Sequence, residues 1–207
     1  MNLVLHYAPM SSALPVACAL AELGVPHERV THDIRTSAHR TPEFLALNPN
    51  GKVPTLVVDG APMFEALAIL QWLGGRFGVA RGLWPAEDTP ARLRALSWSA
   101  WAYVTYAAQL MRVGHAASDR SPPELRSEVH AAHAREELAR LGKILDGELE
   151  RSPYLLGDSY SLADLIVSSV VDYGTYCGAT LEGLPHAKAW LARCQDRPAV
   201  RAEWGRP

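Results

Sequence analysis

A change of pattern near residue 80 constrains this chain more than any other feature. Before it, short β-rich runs alternate with apolar segments at helical spacing; after it, only helical segments follow. Residues 2–6 read as a strand. Residues 14–23 read as a helix, stopped by Gly24 with Pro26 beyond it. A second strand is expected over 28–33. A short helix then opens at Thr41-Pro42-Glu43, with Thr41 as N-cap and Pro42 at the first helical position. Residues 54–58 form a third strand, and an Asp59-Gly60 turn leads into a fourth at 62–64. Ile69, Leu70, Trp72, Leu73 and Phe77 fall on one face of a helix over 65–77. The expected order is β-α-β-α-β-β-α, an α/β domain over residues 1–80.

Residues 81–88 read as a linker and 89–207 as an all-α domain. Thr89-Pro90 opens a long helix to about residue 114. Ser121-Pro122-Pro123-Glu124 is read as a capping box that starts a helix running to about residue 150. Ser161 and Asp164 form a second box, with Asp164 reaching back to the Ser161 amide and Tyr160 and Leu165 able to pack across it. A last helix pair covers about 185–194 and 198 onward. The 207 residues are 48% hydrophobic with a formal net charge of -2, and no basic stripe appears. Nucleic acid is therefore excluded as an expected partner. No run of 18 apolar residues marks a membrane span. The N-terminus has no basic segment of a secretory signal. The three cysteines, Cys18, Cys177 and Cys194, are odd in number and form no CxxC, which fits a reducing, cytoplasmic setting.

Four segments stand in a suggestive order. Ala8-Pro9-Met10-Ser11-Ser12 follows the first strand. His39-Arg40-Thr41-Pro42-Glu43-Phe44-Leu45 and Asn48-Pro49-Asn50-Gly51-Lys52-Val53-Pro54 occupy the middle. Phe64-Glu65-Ala66-Leu67-Ala68-Ile69 opens the third helix, and the stretch Leu156-Gly157-Asp158-Ser159-Tyr160-Ser161-Leu162-Ala163-Asp164 lies in the helical half. With them, nearly the whole chain resembles the cytosolic glutathione transferases. The detail is most similar to the serine-type phi class, with related bacterial classes as the alternative. The resemblance implies a thioredoxin-like N-terminal domain that binds glutathione, an all-helical bundle that holds the second substrate, and a homodimer.

The reaction of that family needs a thiolate, and a thiol such as glutathione's has a pKa of about 8.5 to 9. Lowering it by two units takes roughly 2.7 kcal/mol of preferential stabilisation. A hydroxyl donating to the sulfur and a helix N-terminus aimed at it can supply this. Ser11 and Ser12 stand where the first strand gives way to the first helix. By resemblance, the phi-class serine falls on Ser11, the cysteine of some bacterial classes on Ser12, and the tyrosine of several animal classes on Tyr7. Either serine could equally cap the helix.

The same resemblance makes Val53-Pro54 a cis dipeptide whose Val53 N–H and C=O pair with the cysteinyl part of glutathione. It assigns Glu65 to the γ-glutamyl ammonium, and His39, Arg40 and Lys52 to the glycine carboxylate. A serine usually follows that glutamate; here Ala66 stands, leaving only its backbone N–H for the γ-glutamyl carboxylate. One charged hydrogen bond is lost, worth roughly 1.5 to 3 kcal/mol, or about tenfold to a hundredfold in affinity. Met10, Tyr103, Tyr106 and Met111 are the expected second-substrate pocket.

Other features are read as structural. His130 and His133 share a helix face with no third ligand, so no metal is expected. Cys18 is read as a small core residue. The expected activity is conjugation of glutathione to a small apolar electrophile. The alternatives are peroxide reduction, isomerisation or dehalogenation at the same site, or a non-catalytic protein that binds a ligand or another protein.

Overall fold

The computed structural model describes residues 1–36, 40–119 and 121–205. Two compact units divide the chain: Met1–Glu87 together with the residues from Asp196 onward, and Asp88–Gln195.

The first unit is built on a mixed four-stranded sheet. The strands are β1 (Leu3–Tyr7), β2 (Glu28–Thr31), β3 (Thr55–Val58) and β4 (Ala61–Phe64), in the order β2-β1-β3-β4. β2 runs parallel to β1, while β3 is antiparallel to both β1 and β4. With the helices below, this is the thioredoxin-like arrangement. Alternation along β1 buries Leu3, Leu5 and Tyr7 and leaves Val4 and His6 half-buried. Helix α1 (Leu14–Glu22) buries Val16, Ala17 and Leu20, and packs against α3 (Ala66–Leu73), which buries Ile69, Leu70 and Leu73. On the His6 face, α2 (Pro42–Leu47) sets Phe44 against the rings of His6 and His32, with centroids at 5.2 and 4.8 Å. Thr41 caps α2 as expected, accepting from the Phe44 amide at 3.3 Å.

The helix expected over 65–77 keeps regular turns only from Ala66 to Leu73, then widens into a π-type turn, Gly74–Gly78. A close approach accompanies the change: a Cβ at Gly74 would lie 2.6 Å from Cδ2 of Trp84, which is buried within the stretch read as a linker. The last helix departs from the sequence boundary, which places it with the helical domain. Helix α9 (Pro198–Trp204) packs on α1 in the first unit. Two arginine forks fasten this end of the chain. Arg197 donates to both carboxylate oxygens of Glu22, at 2.5 and 2.6 Å, and Arg29 of β2 to both of Glu203, at 2.8 and 3.1 Å.

The second unit is helical. It contains α4 (Pro90–Ala100), a π-type segment Trp101–Tyr106, α5 (Ala107–Ala117), α6 (Glu128–Leu149), α7 (Leu162–Tyr176) and α8 (Pro185–Gln195). Thr89 caps α4 through the Arg92 amide at 3.2 Å. The start of α6 is a correction to the sequence reading. Pro123 disfavours helical geometry in the residue before it, and Pro122 is extended, with φ -50 and ψ 139. Only a single tight turn, Pro123–Leu125, forms there; the true N-cap is Ser127, which accepts from the His130 amide at 3.3 Å. Among the described residues no helix is long and apolar enough to cross a membrane.

Helix α7 runs through the core, buried almost without interruption from Leu162 to Asp172. Its anchor is Asp164, which is fully buried. The carboxylate accepts from the Leu155 amide, the Ser161 amide, the Ser161 hydroxyl and Trp190 Nε1, each at 2.9 Å. The capping role expected of Asp164 is therefore part of a larger one, joining the loop before α7, its first turn and α8. Burial pushes its pKa up, while these four donors pull it down. Truncation in Asp164→Ala leaves three N–H donors without an acceptor, at about 1–3 kcal/mol each. The expected loss of unfolding free energy is about 3 kcal/mol or more by urea denaturation. A loss under about 1 kcal/mol contradicts this role.

Candidate active site

Strand register gathers the expected site residues of the first unit. His6 of β1 is opposite Thr55 of β3, and Thr55 is opposite Phe64 of β4. One step beyond these pairs, the chain leaving β1, the chain entering β3 and the chain leaving β4 lie at one end of the sheet. Those segments carry Ser11 and Ser12, Val53 and Pro54, and Glu65 and Ala66. The Val53-Pro54 peptide bond is cis, as the resemblance implies.

A direct bond ties two of these segments together: the Ser12 hydroxyl donates to the Val53 carbonyl at 3.0 Å. The Ser11 hydroxyl donates to the Ala8 carbonyl at 2.7 Å and accepts from the Ala13 amide at 3.1 Å. Neither serine is the N-cap of α1, a position held by Ala13 without a side-chain cap. Ser11 is half-buried and Ser12 exposed. Two non-glycine residues with positive φ flank the site, Met10 at 51° and Glu65 at 71°. Such geometry costs about 1–3 kcal/mol per residue and collects at functional positions.

Glu65 is the last residue before α3. Its carbonyl accepts from the Ile69 amide at 3.0 Å, so the N–H groups of Ala66, Leu67 and Ala68 precede the first turn's bonds and are the donors a helix N-terminus offers to an anion. The side chains of Glu65, Lys52 and Arg40 are exposed and form no ion pair among the described residues. The Lys52 carbonyl is held from behind by Asn48 Nδ2 at 2.7 Å and Thr55 Oγ1 at 3.2 Å. His39 lies outside the described residues.

Tyr7 faces the other way. It shares the buried face of β1 with Leu3 and Leu5, and the Arg29 guanidinium lies 4.7 Å from its ring centroid. Burial raises the pKa of its phenol, and Arg29 opposes the shift. Cys18 is a core residue, its thiol pushed up to about 12 by burial.

Two family models match the chain: "Glutathione S-transferase, N-terminal domain" over residues 10–76 and "Glutathione S-transferase, C-terminal domain" over 107–198. Glutathione S-transferase GstB of Escherichia coli is 31% identical over 191 residues, covering 90% of this chain and 89% of its own. The chain belongs to the glutathione S-transferase family. Another relative, disulfide-bond oxidoreductase YfcG of Escherichia coli, is 28% identical over 203 residues, covering 95% of this chain and 91% of its own. A glutathione transferase structure from Burkholderia graminis, with two glutathione molecules bound per subunit, aligns with a TM-score of 0.84. It is 28% identical and covers 100% of this chain and 88% of that one.

The residues expected to form the second-substrate pocket are distributed differently from one another. Met10 is 69% exposed in the turn before α1. Tyr106 is only 2% exposed and packs beneath Gly174, where an added Cβ would stand 3.2 Å from its ring. The Tyr103 hydroxyl hydrogen-bonds Ser169. Burial pushes the pKa of both phenols up to about 12. Met111 is exposed and lines a cavity of about 730 Å³ within the helical unit, together with Tyr173 and Tyr176. Sequence reasoning missed these two tyrosines; their spacing of three on an otherwise buried helix was the available signal.

Beneath α2, His6 Nδ1 lies 2.8 Å from His32 Nε2, with the rings stacked at 5.1 Å. Burial first, and His32 second, hold the His6 pKa below the ordinary histidine value. A histidine whose folded pKa is depressed favours its neutral form when folded. Its contribution is full above the unfolded value of about 6.5 and is lost as pH falls through the folded value. Melting temperatures between pH 8 and pH 5 should therefore fall more for the wild type than for His6→Phe. Parallel profiles would show that this pair does not set the acid limb.

Proposed function

We propose that this protein is a cytoplasmic, homodimeric glutathione transferase that conjugates the glutathione thiolate to a small apolar electrophile. The observation that carries this reading is the convergence of the Ser11–Ser12 turn, the cis Val53-Pro54 backbone and the N-terminus of α3 at one end of the sheet. Residues within 1–80 bind glutathione, and residues within 89–207 hold the second substrate, with 81–88 between them.

In this reading the Val53 N–H and C=O pair with the cysteinyl residue. The Ser12 hydroxyl occupies one lone pair of that carbonyl and leaves the other for the ligand. Glu65 takes the γ-glutamyl ammonium, and the Ala66 N–H its carboxylate. Lys52, Arg40 and His39 supply positive charge for the glycine carboxylate. Ser11 is favoured as the donor to sulfur: Ser12 is committed to Val53, and the Tyr7 ring lies under Arg29. The Ser11 hydroxyl turns from the Ala8 carbonyl to the sulfur, and the thiol proton passes to water. The thiolate then attacks the electrophilic carbon and displaces the leaving group, with no metal needed. Tyr103 and Met111 are the proposed contacts of the electrophile in the helical unit, Tyr106 being buried beneath Gly174. Peroxide reduction, isomerisation and dehalogenation would use the same thiolate.

The relative named a disulfide-bond oxidoreductase favours a second reading. Here the thiolate attacks a disulfide and releases one thiol. A second glutathione then resolves the mixed disulfide, leaving glutathione disulfide and the other thiol. Cys18, the cysteine of the first unit, is buried, so glutathione itself would supply both sulfurs.

Assays with chlorodinitrobenzene and with hydroxyethyl disulfide separate the two. Conjugation is expected, falling about tenfold or more in Ser11→Ala with loss of a charged hydrogen bond. By calorimetry, Ala66→Ser should bind glutathione about tenfold tighter or better. Turnover of the disulfide alone would select the second reading. Absence of glutathione binding in both the wild type and Ala66→Ser would leave a non-catalytic protein.

A further inference from the structure

Helix α2 rests on one side chain. Among its described residues Phe44 alone is buried, and its ring sits on the imidazoles of His6 and His32, with 5.2 and 4.8 Å between centroids. Strand register explains the seat. His6 of β1 stands opposite Val30 of β2, and the His32 amide continues the pairing by donating to the Tyr7 carbonyl at 2.8 Å. Both rings thereby reach the α2 side of the sheet, where His6 Nδ1 and His32 Nε2 are 2.8 Å apart.

A contact of this length between ring nitrogens needs one N–H and one bare nitrogen. The neutral pair supplies both, and a first added proton can still be shared. A second sets two N–H groups of like charge against each other in a half-buried site. Burial and the neighbouring ring both hold the His6 pKa down, in keeping with this. The charged groups of the surrounding elements are Glu28 of β2, Asp33 after it, Arg40 and Glu43 at the start of α2, and Lys52 before β3; all are exposed. Arg29 of β2 lies on the other face, over Tyr7. The contact is therefore intact above the ordinary histidine value of about 6.5 and is lost as pH falls through the depressed one.

Residues at both ends of α2 move with it. Arg40 precedes the N-cap Thr41. Asn48, the C-cap, donates from Nδ2 to the Lys52 carbonyl at 2.7 Å, next to the cis Val53-Pro54 bond. We propose that His6 and His32 are positioning residues of the glutathione site, a proton-released latch that seats α2 through Phe44 and weakens glutathione binding as the pair charges. The part concerning glutathione rests on the function proposed above; the latch itself does not.

The test uses the full-length protein with S-methylglutathione, which has no thiol, so thiolate formation does not enter. By calorimetry its affinity should fall about tenfold between pH 7 and pH 5, the worth of one charge-assisted contact. In His6→Gln and in His32→Gln the facing atoms can no longer both be charged, and the affinity should change less than about threefold. Two variants are used so that poor folding of one leaves the comparison intact. Hydrogen exchange reads the latch without ligand. At pH 5 the Leu45 and Asn48 amides, which donate to the Thr41 and Phe44 carbonyls, should exchange about tenfold faster in the wild type than in either variant. An affinity independent of pH, a fall of equal size in the variants, or equal exchange in all three proteins would overturn the proposal. Absence of S-methylglutathione binding at pH 7 would instead count against the glutathione reading, and the exchange comparison would still decide the latch.

Discussion

The antiparallel pairing of β3 with both β1 and β4 is the constraint on which the candidate site depends. Leu5 opposite Leu56 seals the centre of the sheet, and the same register sets His6, Thr55 and Phe64 side by side at its end. A one-residue slip in β3 would turn Leu56 out of the core, so burial of that side chain fixes the register. Three segments distant in sequence therefore meet: the turn after β1, the cis dipeptide before β3 and the start of α3. The Ser12 to Val53 hydrogen bond then holds the first two together. Site geometry is thus a consequence of hydrophobic packing, which brings the polar groups to one end of the sheet.

The helical unit depends on a polar group instead. Asp164 accepts four hydrogen bonds in a site without solvent, and through them the loop before α7, the first turn of α7 and α8 take fixed positions. Burial of a carboxylate is tolerable only when its oxygens are satisfied in this way. The far end of the same helix is the opposite case. Tyr173 and Tyr176 emerge into a cavity, where apolar surface stays uncovered. One helix therefore anchors the fold at its N-terminus and leaves two tyrosines exposed at its C-terminal end.

Much of this was legible in the sequence where a local rule decides the outcome. Thr41-Pro42 and Thr89-Pro90 start helices because a hydroxyl cap and a preset φ act over three residues. Ser161 and Asp164 read as a box for the same reason. Ser121-Pro122-Pro123-Glu124 carried an equally good signal and failed, because the second proline holds the first extended and Ser127 supplies the cap. Met10 and Glu65 adopt positive φ without glycine, which leaves no mark in residue type. The hydrogen bonds of the two serines depend on where strands bring distant carbonyls, and Tyr173 and Tyr176 look like ordinary surface tyrosines until α5 and α6 are placed beside them. The anchoring of α9 by Glu22 and Arg29 was hidden for a related reason: Arg197 pairs across 175 positions.

In the proposed reaction the Ser11 turn stabilises a glutathione thiolate at this sheet end. The most direct measurement is the pKa of the bound thiol, followed by ultraviolet absorbance of the thiolate as a function of pH. The wild type, Ser11→Ala and Ser12→Ala should be titrated at saturating glutathione. The bound pKa should lie at least one unit below the free value of about 8.5 to 9 in the wild type and in Ser12→Ala, and return most of the way to it in Ser11→Ala. A thiol that titrates in the wild type as it does in water, or a depression that survives Ser11→Ala, would contradict it.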